Sequence, residues 1–210
     1  MIESSQLYFF LGAALALLLV PGPAVLYITA RSANQGRLAG LVSVLAIETA
    51  NFLQAVAATL GLSAILLSSA LAFDVVKYLG AAYLIYLGIR KLLAREEESG
   101  TEMINQESLS RIYWQGFAIN LLNPKTALFF FAFLPQFVDP TQGNVTGQTL
   151  LLGAIFVVMA LITDSLYALL ASSLAGRLRS SHHFQKGQRY FAGLVYVGLG
   201  ITTALTGSKK

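Results

Sequence analysis

The sequence predicts an all-α membrane protein of six transmembrane helices, arranged as two inverted three-helix repeats with the first helix of each repeat broken near the midplane. Three observations lead there. Hydrophobic residues make up 56% of the 210-residue chain and charged residues only 11%, with a mean hydropathy of +0.67, outside the range of soluble domains. Six windows are apolar over the length a bilayer demands, about 20 residues each. Two of these windows, in matching positions, are interrupted by proline.

The windows cover residues 7–30, 38–60, 73–93, 113–138, 149–175 and 190–205. A single transmembrane domain therefore fills 1–210, with a first repeat over 1–93, a linker over 94–111 and a second repeat over 112–210. The linker carries Glu96, Glu97, Glu98, Glu102 and Glu107 and reads as a solvated segment with no core of its own. No lysine or arginine precedes Arg31, so the first window lacks the basic start of a signal peptide and is expected to be retained. Arg31, Arg37, Arg90, Lys91, Arg95, Arg111, Arg177, Arg179, Lys186 and Arg189 fall between windows one and two, three and four, or five and six. Only Lys77, Lys209 and Lys210 fall on the opposite face. The positive-inside rule then makes those three loops cytoplasmic and puts both termini outside a cytoplasmic (inner or plasma) membrane. The basic pI of about 9.4 encodes this topology and points to a lipid bilayer, not to nucleic acid.

The first window runs into Pro21-Gly22-Pro23, and the fourth into Asn120-Leu121-Leu122-Asn123-Pro124-Lys125. Proline has no N–H and its ring clashes with the preceding turn, so the helix entering from Tyr113 is expected to end near Leu122. Asn123 is a favoured N-cap and Pro124 takes the N1 position that suits proline; Pro23 is the N1 residue of the first break. Three helices per half is an odd number, so the second half crosses the membrane in the opposite sense. Paired interruptions in such halves mark a transporter's binding site. Prolines also occur in ordinary membrane helices, where neighbours satisfy the freed groups, and it is the register of the two breaks that separates these readings. Each restart exposes helix N-terminal N–H groups that attract anions, so two facing restarts would hold a carboxylate.

Three ionisable residues lie inside windows: Glu48, Lys125 and Asp164. Each costs at least about 2.5–3.5 kcal/mol at a helix centre and so is expected to face a cavity. Glu48, Asn51 and Gln54 share one helical stripe. Asp164 sits between Thr163 and Ser165, with Tyr167 a turn later. Lys125, a cation in the first turn of a helix, opposes the helix dipole and needs a partner: Glu48, Asp164 or a substrate carboxylate. A static buried ion pair that fixes helix register is the structural alternative. The candidate substrate-binding residues are Pro21, Gly22, Pro23, Asn51, Gln54, Asn120, Asn123, Pro124 and Lys125, and the candidate proton-coupling residues are Glu48 and Asp164.

The remaining features read as packing or as exclusions. Gly36 with Gly40, Ala46 with Ala50, and Gly193 with Gly200 are small-residue pairs that let helices approach closely, within one bundle or in a homo-oligomer. Tyr8, Tyr113, Trp114 and Tyr190 are placed as interfacial anchors, and Gly80, Tyr83, Tyr86 and Gly88 as packing residues. With no cysteine, thiolate metal sites and cysteine nucleophiles are excluded. His182 and His183 are adjacent and cannot share a helical face as a metal pair, and no nucleotide or hydrolase motif is present, so neither an enzyme nor a cofactor is expected. Asn144-Val145-Thr146 fits a glycosylation acceptor.

Asn123-Pro124-Lys125-Thr126-Ala127-Leu128-Phe129 followed by Leu134-Pro135-Gln136-Phe137 resembles the signature of the lysine exporter family (LysE/RhtB-type efflux proteins), including its homoserine and threonine efflux branch. The Pro21-Gly22-Pro23 break, the stretch from Gly80 to Gly88 ahead of Arg90, Asp164 and the closing stretch from Gly193 to Gly200 are similar to that family too. The resemblance covers nearly the whole chain, and Glu48 stands outside it. It implies secondary export of amino acids or related small metabolites, coupled to the proton gradient. Asp164 and Glu48 would then bind the substrate's ammonium or the counter-transported proton, while Asn123, Lys125 and the helix starts hold its carboxylate. Two other readings remain at this point: a divalent-metal exporter, because carboxylates and asparagine oxygens are hard-cation ligands, and a non-transporting membrane scaffold.

Overall fold

The structure is a computed structural model that describes residues 4–68 and 106–178 with a few isolated positions in 75–93 and 194–201. Apart from those positions, the third and sixth windows lie outside the described residues, as do most of the linker, Lys77, Gly80, Tyr83, Gly88, Arg90, His182, His183, Tyr190, Gly193 and Gly200. The described residues are helical and contain no strand. In order they form α1 (Ser4–Leu19), α2 (Pro23–Gln35), α3 (Arg37–Ser68), α4 (Leu109–Leu121), α5 (Pro124–Leu128), a π-helical turn (Phe129–Phe133), 3-10 turns at Leu134–Phe137 and Pro140–Gln142, and α6 (Val145–Leu178).

Among the described residues, two helices are long and apolar enough to cross a membrane unbroken, α3 over 25 residues and α6 over 29. The α1–α2 pair bends by 52° and the pair formed by α4 and Pro124–Phe137 by 46°, and each can be one broken span. Both bends follow from the predicted caps. Pro23 and Pro124 occupy the first turn of their helices behind extended N-cap residues, Gly22 and Asn123, and α4 ends at Leu121 as the proline required. Pro135 disturbs the helix again by withholding an N–H. The ladder adapts by a five-residue step, Leu134 N to Phe129 O, and the Gln136 side chain donates to Ala132 O at 2.9 Å.

α3 packs against α2, α4 and α6, placing its polar stripe at the centre. An aromatic-rich core joins Phe10, Leu17 and Val20 to Phe129, Phe130, Phe133, Phe137 and Phe156, with Phe129 and Phe156 stacked at 4.2 Å. A smaller core joins Ala24, Ile28, Val44, Ile47 and Ala168. Polar side chains lie between these cores, while Phe52, Leu60, Val158, Ile162 and Leu166 face outward. Apolar outside and polar inside is the distribution a lipid solvent selects.

Three expectations are corrected. Arg31 is not in a loop: α2 continues past Ala30 to Gln35, and Arg31 is buried. The described end of the linker, residues 106–111, is engaged in the bundle: Glu107 forms ion pairs, and Ser108 caps α4, which starts at Leu109, ahead of Tyr113. Gly36 is a turn residue between α2 and α3, with φ +86°, and no atom approaches the position its Cβ would take. Gly40 does make the close contact: a Cβ there would sit 2.5 Å from Ser32 Oγ and 3.2 Å from Ala168 Cβ, where the Ser32 hydroxyl donates to the Ala168 carbonyl. Gly40→Ala is therefore expected to cost about 1–3 kcal/mol by overpacking, read as a lower thermal midpoint in detergent. Gly12→Ala, at a position with open space, is expected to cost nothing.

Candidate substrate site at the paired helix breaks

Asn120, in the last turn of α4, connects one break to α3. Its Nδ2 donates to Asn51 Oδ1 at 2.7 Å and to Ile47 O at 3.0 Å. Its Oδ1 accepts from Asn123 Nδ2 and Thr126 Oγ1, both at 3.2 Å. Asn123 then caps α5 by accepting from Lys125 N at 3.1 Å. Asn51 passes the chain of bonds onward, donating to Glu48 Oε2 at 3.0 Å. The stripe of Glu48, Asn51 and Gln54 is buried as its period predicted. Gln54 Nε2, however, donates to the carbonyls of Asn120 at 2.9 Å and Leu121 at 3.0 Å. It supplies a donor to the Leu121 carbonyl at the broken end of α4 and a second one to the Asn120 carbonyl, which also accepts from Asn123 N at 3.1 Å.

Lys125 has a different partner from those expected. Its Nζ donates to the Val20 carbonyl just beyond α1, and Tyr167 Oη donates to Leu19 O at 3.0 Å. A cation unfavourable at the start of its own helix is thus placed at the C-terminal end of another, where the dipole favours it. Lys125 forms no ion pair with either acid, which overturns the bridge considered from sequence. The two carboxyls instead neighbour each other, Glu48 on α3 and Asp164 on α6, and both are buried. Glu48 Oε1 has no donor among the described residues.

These groups surround a cavity of about 20 Å³ lined by Gly22, Ala24, Val25, Asn51, Asn120, Asn123, Lys125, Thr126 and Asp164, with Leu17, Leu18, Ile47 and Phe156 as apolar walls. Such a space holds roughly one water. Of the predicted residues, Gly22, Asn51, Asn120, Asn123, Lys125 and Asp164 reach it. Pro21, Pro23 and Pro124 are absent from the lining and shape the backbone, while Glu48 stands behind Asn51 and Asp164, and Gln54 caps α4. The two helix starts differ: Asn123 occupies an N–H of α5 with its side chain, whereas Gly22 brings no capping side chain to α2. The first turn of α2 therefore presents uncapped N–H groups beside the cavity.

Sequence reasoning missed a second polar cluster, around Arg31. Tyr27, Arg31 and Gln35 follow one another at i+4 spacing, a signal hidden because the first window was closed at Ala30.

An apolar-faced helical bundle with a small buried polar cavity between broken helices defines a membrane protein with a polar interior site. The LysE type translocator family matches residues 15–207, and the chain belongs to that family. It is accordingly a membrane transporter and not an enzyme. The uncharacterized membrane protein YrhP of Bacillus subtilis is 32% identical over 202 residues, covering 92% of this chain and 95% of the relative. The homoserine/homoserine lactone efflux protein of Salmonella typhimurium is 30% identical over 176 residues, covering 84% and 85%. The uncharacterized membrane protein PA4757 of Pseudomonas aeruginosa is 31% identical over 201 residues, covering 89% of each. No solved structure matches.

Because the Asn120 side chain holds four partners, and membrane hydrogen bonds average about 0.6 kcal/mol, Asn120→Ala is expected to destabilise by about 2 kcal/mol. Thermal unfolding in detergent measures this. Ser172→Ala, which removes one exposed bond to Leu169 O, is expected to leave the midpoint unchanged.

Proposed function

We propose that this protein exports amino acids or related small metabolites across the cytoplasmic membrane by secondary active transport, as a proton antiporter. The observation that carries this reading is the polarity of the cavity. Its lining includes Lys125 and the uncapped start of α2, both suited to a carboxylate. It also includes Asp164, suited to an ammonium group, with Glu48 bonded behind Asn51. A zwitterion matches both. The similarity to a homoserine/homoserine lactone efflux protein supports a cargo of this class and the outward direction.

The carboxyl pair also supplies an element for proton coupling. With a proton between them, one carboxyl donates to the other; without it, two like charges meet in a low-dielectric site, a state that an arriving ammonium relieves. Substrate and proton then compete for the same pair, the requirement of exchange. The architecture that supports this cycle is six helices in two inverted repeats, 1–93 and 112–210, joined by the cytoplasmic linker 94–111, with both termini outside. Two bent spans of similar angle and one buried acid on each of α3 and α6 accord with that symmetry. The cavity is too small for an amino acid, so loading requires the halves to rock apart. The divalent-metal reading gains nothing from the site, which sets a lysine beside its acids and includes no group of three histidine, cysteine or acidic ligands among the described residues.

Purified protein in vesicles loaded with a panel of amino acids and divalent metal ions tests the proposal. The expected result is efflux of an amino acid that a protonophore collapses. Asp164→Asn and Lys125→Ala should each slow it at least about a hundredfold, the scale of stranding a buried charged partner, with helical content retained. Normal efflux by both variants would contradict the mechanism.

A further inference from the structure

α2 and α4 leave their breaks side by side, and a polar seam joins them. Tyr27 Oη donates to Ile112 O at 2.8 Å and to Gln115 Oε1 at 3.3 Å. Arg31 Nη2 donates to Gln115 Oε1 at 2.9 Å and lies 3.0 Å from Glu107 Oε2, while its Nη1 donates to Gln35 Oε1 at 2.9 Å. Gln35 Nε2 donates to Glu107 O at 3.0 Å, and Arg111 approaches the Glu107 carboxylate at 3.5 Å. From this geometry we infer that the Arg31–Glu107 seam is the cytoplasmic gate of the translocation path, shut in the present conformation and opened by parting α2 from α4. The inference rests on the export reading for what passes through.

Position supports it. Ala24 and Val25 line the cavity, and Tyr27, Arg31 and Gln35 occupy the next turns of α2, spanning about 12 Å at 1.5 Å per residue. The seam therefore begins where the cavity ends and continues toward the side that the positive-inside rule assigns to the cytoplasm. Its chemistry supports it as well. α4 contributes one fully buried large apolar side chain, Ile112, which belongs to neither core cluster, so parting α2 from α4 breaks mainly polar contacts that water can replace. Arg31 has only 6% of its side chain exposed and Glu107 16%. An ion pair so placed gains from mutual attraction about what it loses in hydration, so the closed and open arrangements are near balance. Removing one partner tips that balance, because the charge left behind is stable only when wet.

The chain has no cysteine, so a single Ala24→Cys reports access to the cavity without background. In inside-out vesicles, adding Glu107→Gln is expected to raise the labelling rate of that cysteine by a membrane-impermeant thiol reagent at least about tenfold. No comparable rise is expected in right-side-out vesicles. Gln115→Leu, which strips Arg31 and Tyr27 of a shared partner and keeps the ion pair, carries the same test should Glu107→Gln fold poorly. Rates equal to those of Ala24→Cys alone, or equal rises from both sides, would overturn the gate. Labelling needs no cargo. A protein that responds in this way yet exports none of the panel would retain the gate and reject the export reading.

Discussion

A helix interrupted inside a membrane leaves carbonyl and N–H groups that no solvent can satisfy, and the structure depends on how those groups are met. Here each interruption is satisfied from a distant part of the chain. The carbonyls at the end of α1, Leu19 and Val20, accept from Tyr167 and Lys125. Those at the end of α4, Asn120 and Leu121, accept from Gln54 of α3. The two breaks are thereby tied to each other's halves, and the space between them becomes a shared site.

This arrangement explains why so much polarity persists in an apolar bundle. Gln54, Asn120 and Asn123 bond the broken backbone, and in the export cycle proposed above Lys125, the start of α2 and the acid pair are the groups that respond to cargo. Lys125 serves both ends of this division. It neutralises the C-terminal end of α1 while facing the cavity with Asp164, so a carboxylate arriving there competes with a backbone carbonyl for the same ammonium. Under the proposed function, binding and the bend in α1–α2 would be linked through one side chain, a differential contact of the kind that shifts a conformational equilibrium.

What was legible in the sequence was local. Proline at N1, asparagine at the N-cap and the ending of α4 before Asn123 are decided within a few residues, and all appear as read. The stripe of Glu48, Asn51 and Gln54 was legible as a buried face, but periodicity specifies the face and not its partner. Gln54 thus emerged as a helix cap, and Glu48 as the neighbour of Asp164. The partner of Lys125 was out of reach for the same reason: Val20 lies 105 residues away, and a backbone carbonyl has no signature in composition. Arg31 was missed because a hydropathy window ends at the first charge, whereas the helix continues as long as its polar residues find partners. Gly36 and Gly40 look identical as a GxxxG pair, and only tertiary placement separates the turn from the contact.

The central proposal is that Lys125 and the start of α2 read the charge of the cargo's carboxylate. Competition for counterflow in vesicles between homoserine and its lactone tests it most directly, because the lactone keeps the amine and loses the carboxylate charge. Homoserine should compete at least about tenfold better, the scale of a charge-assisted contact in a buried site, and the advantage should vanish in Lys125→Met. Equal competition by the two in the unaltered protein would contradict the account.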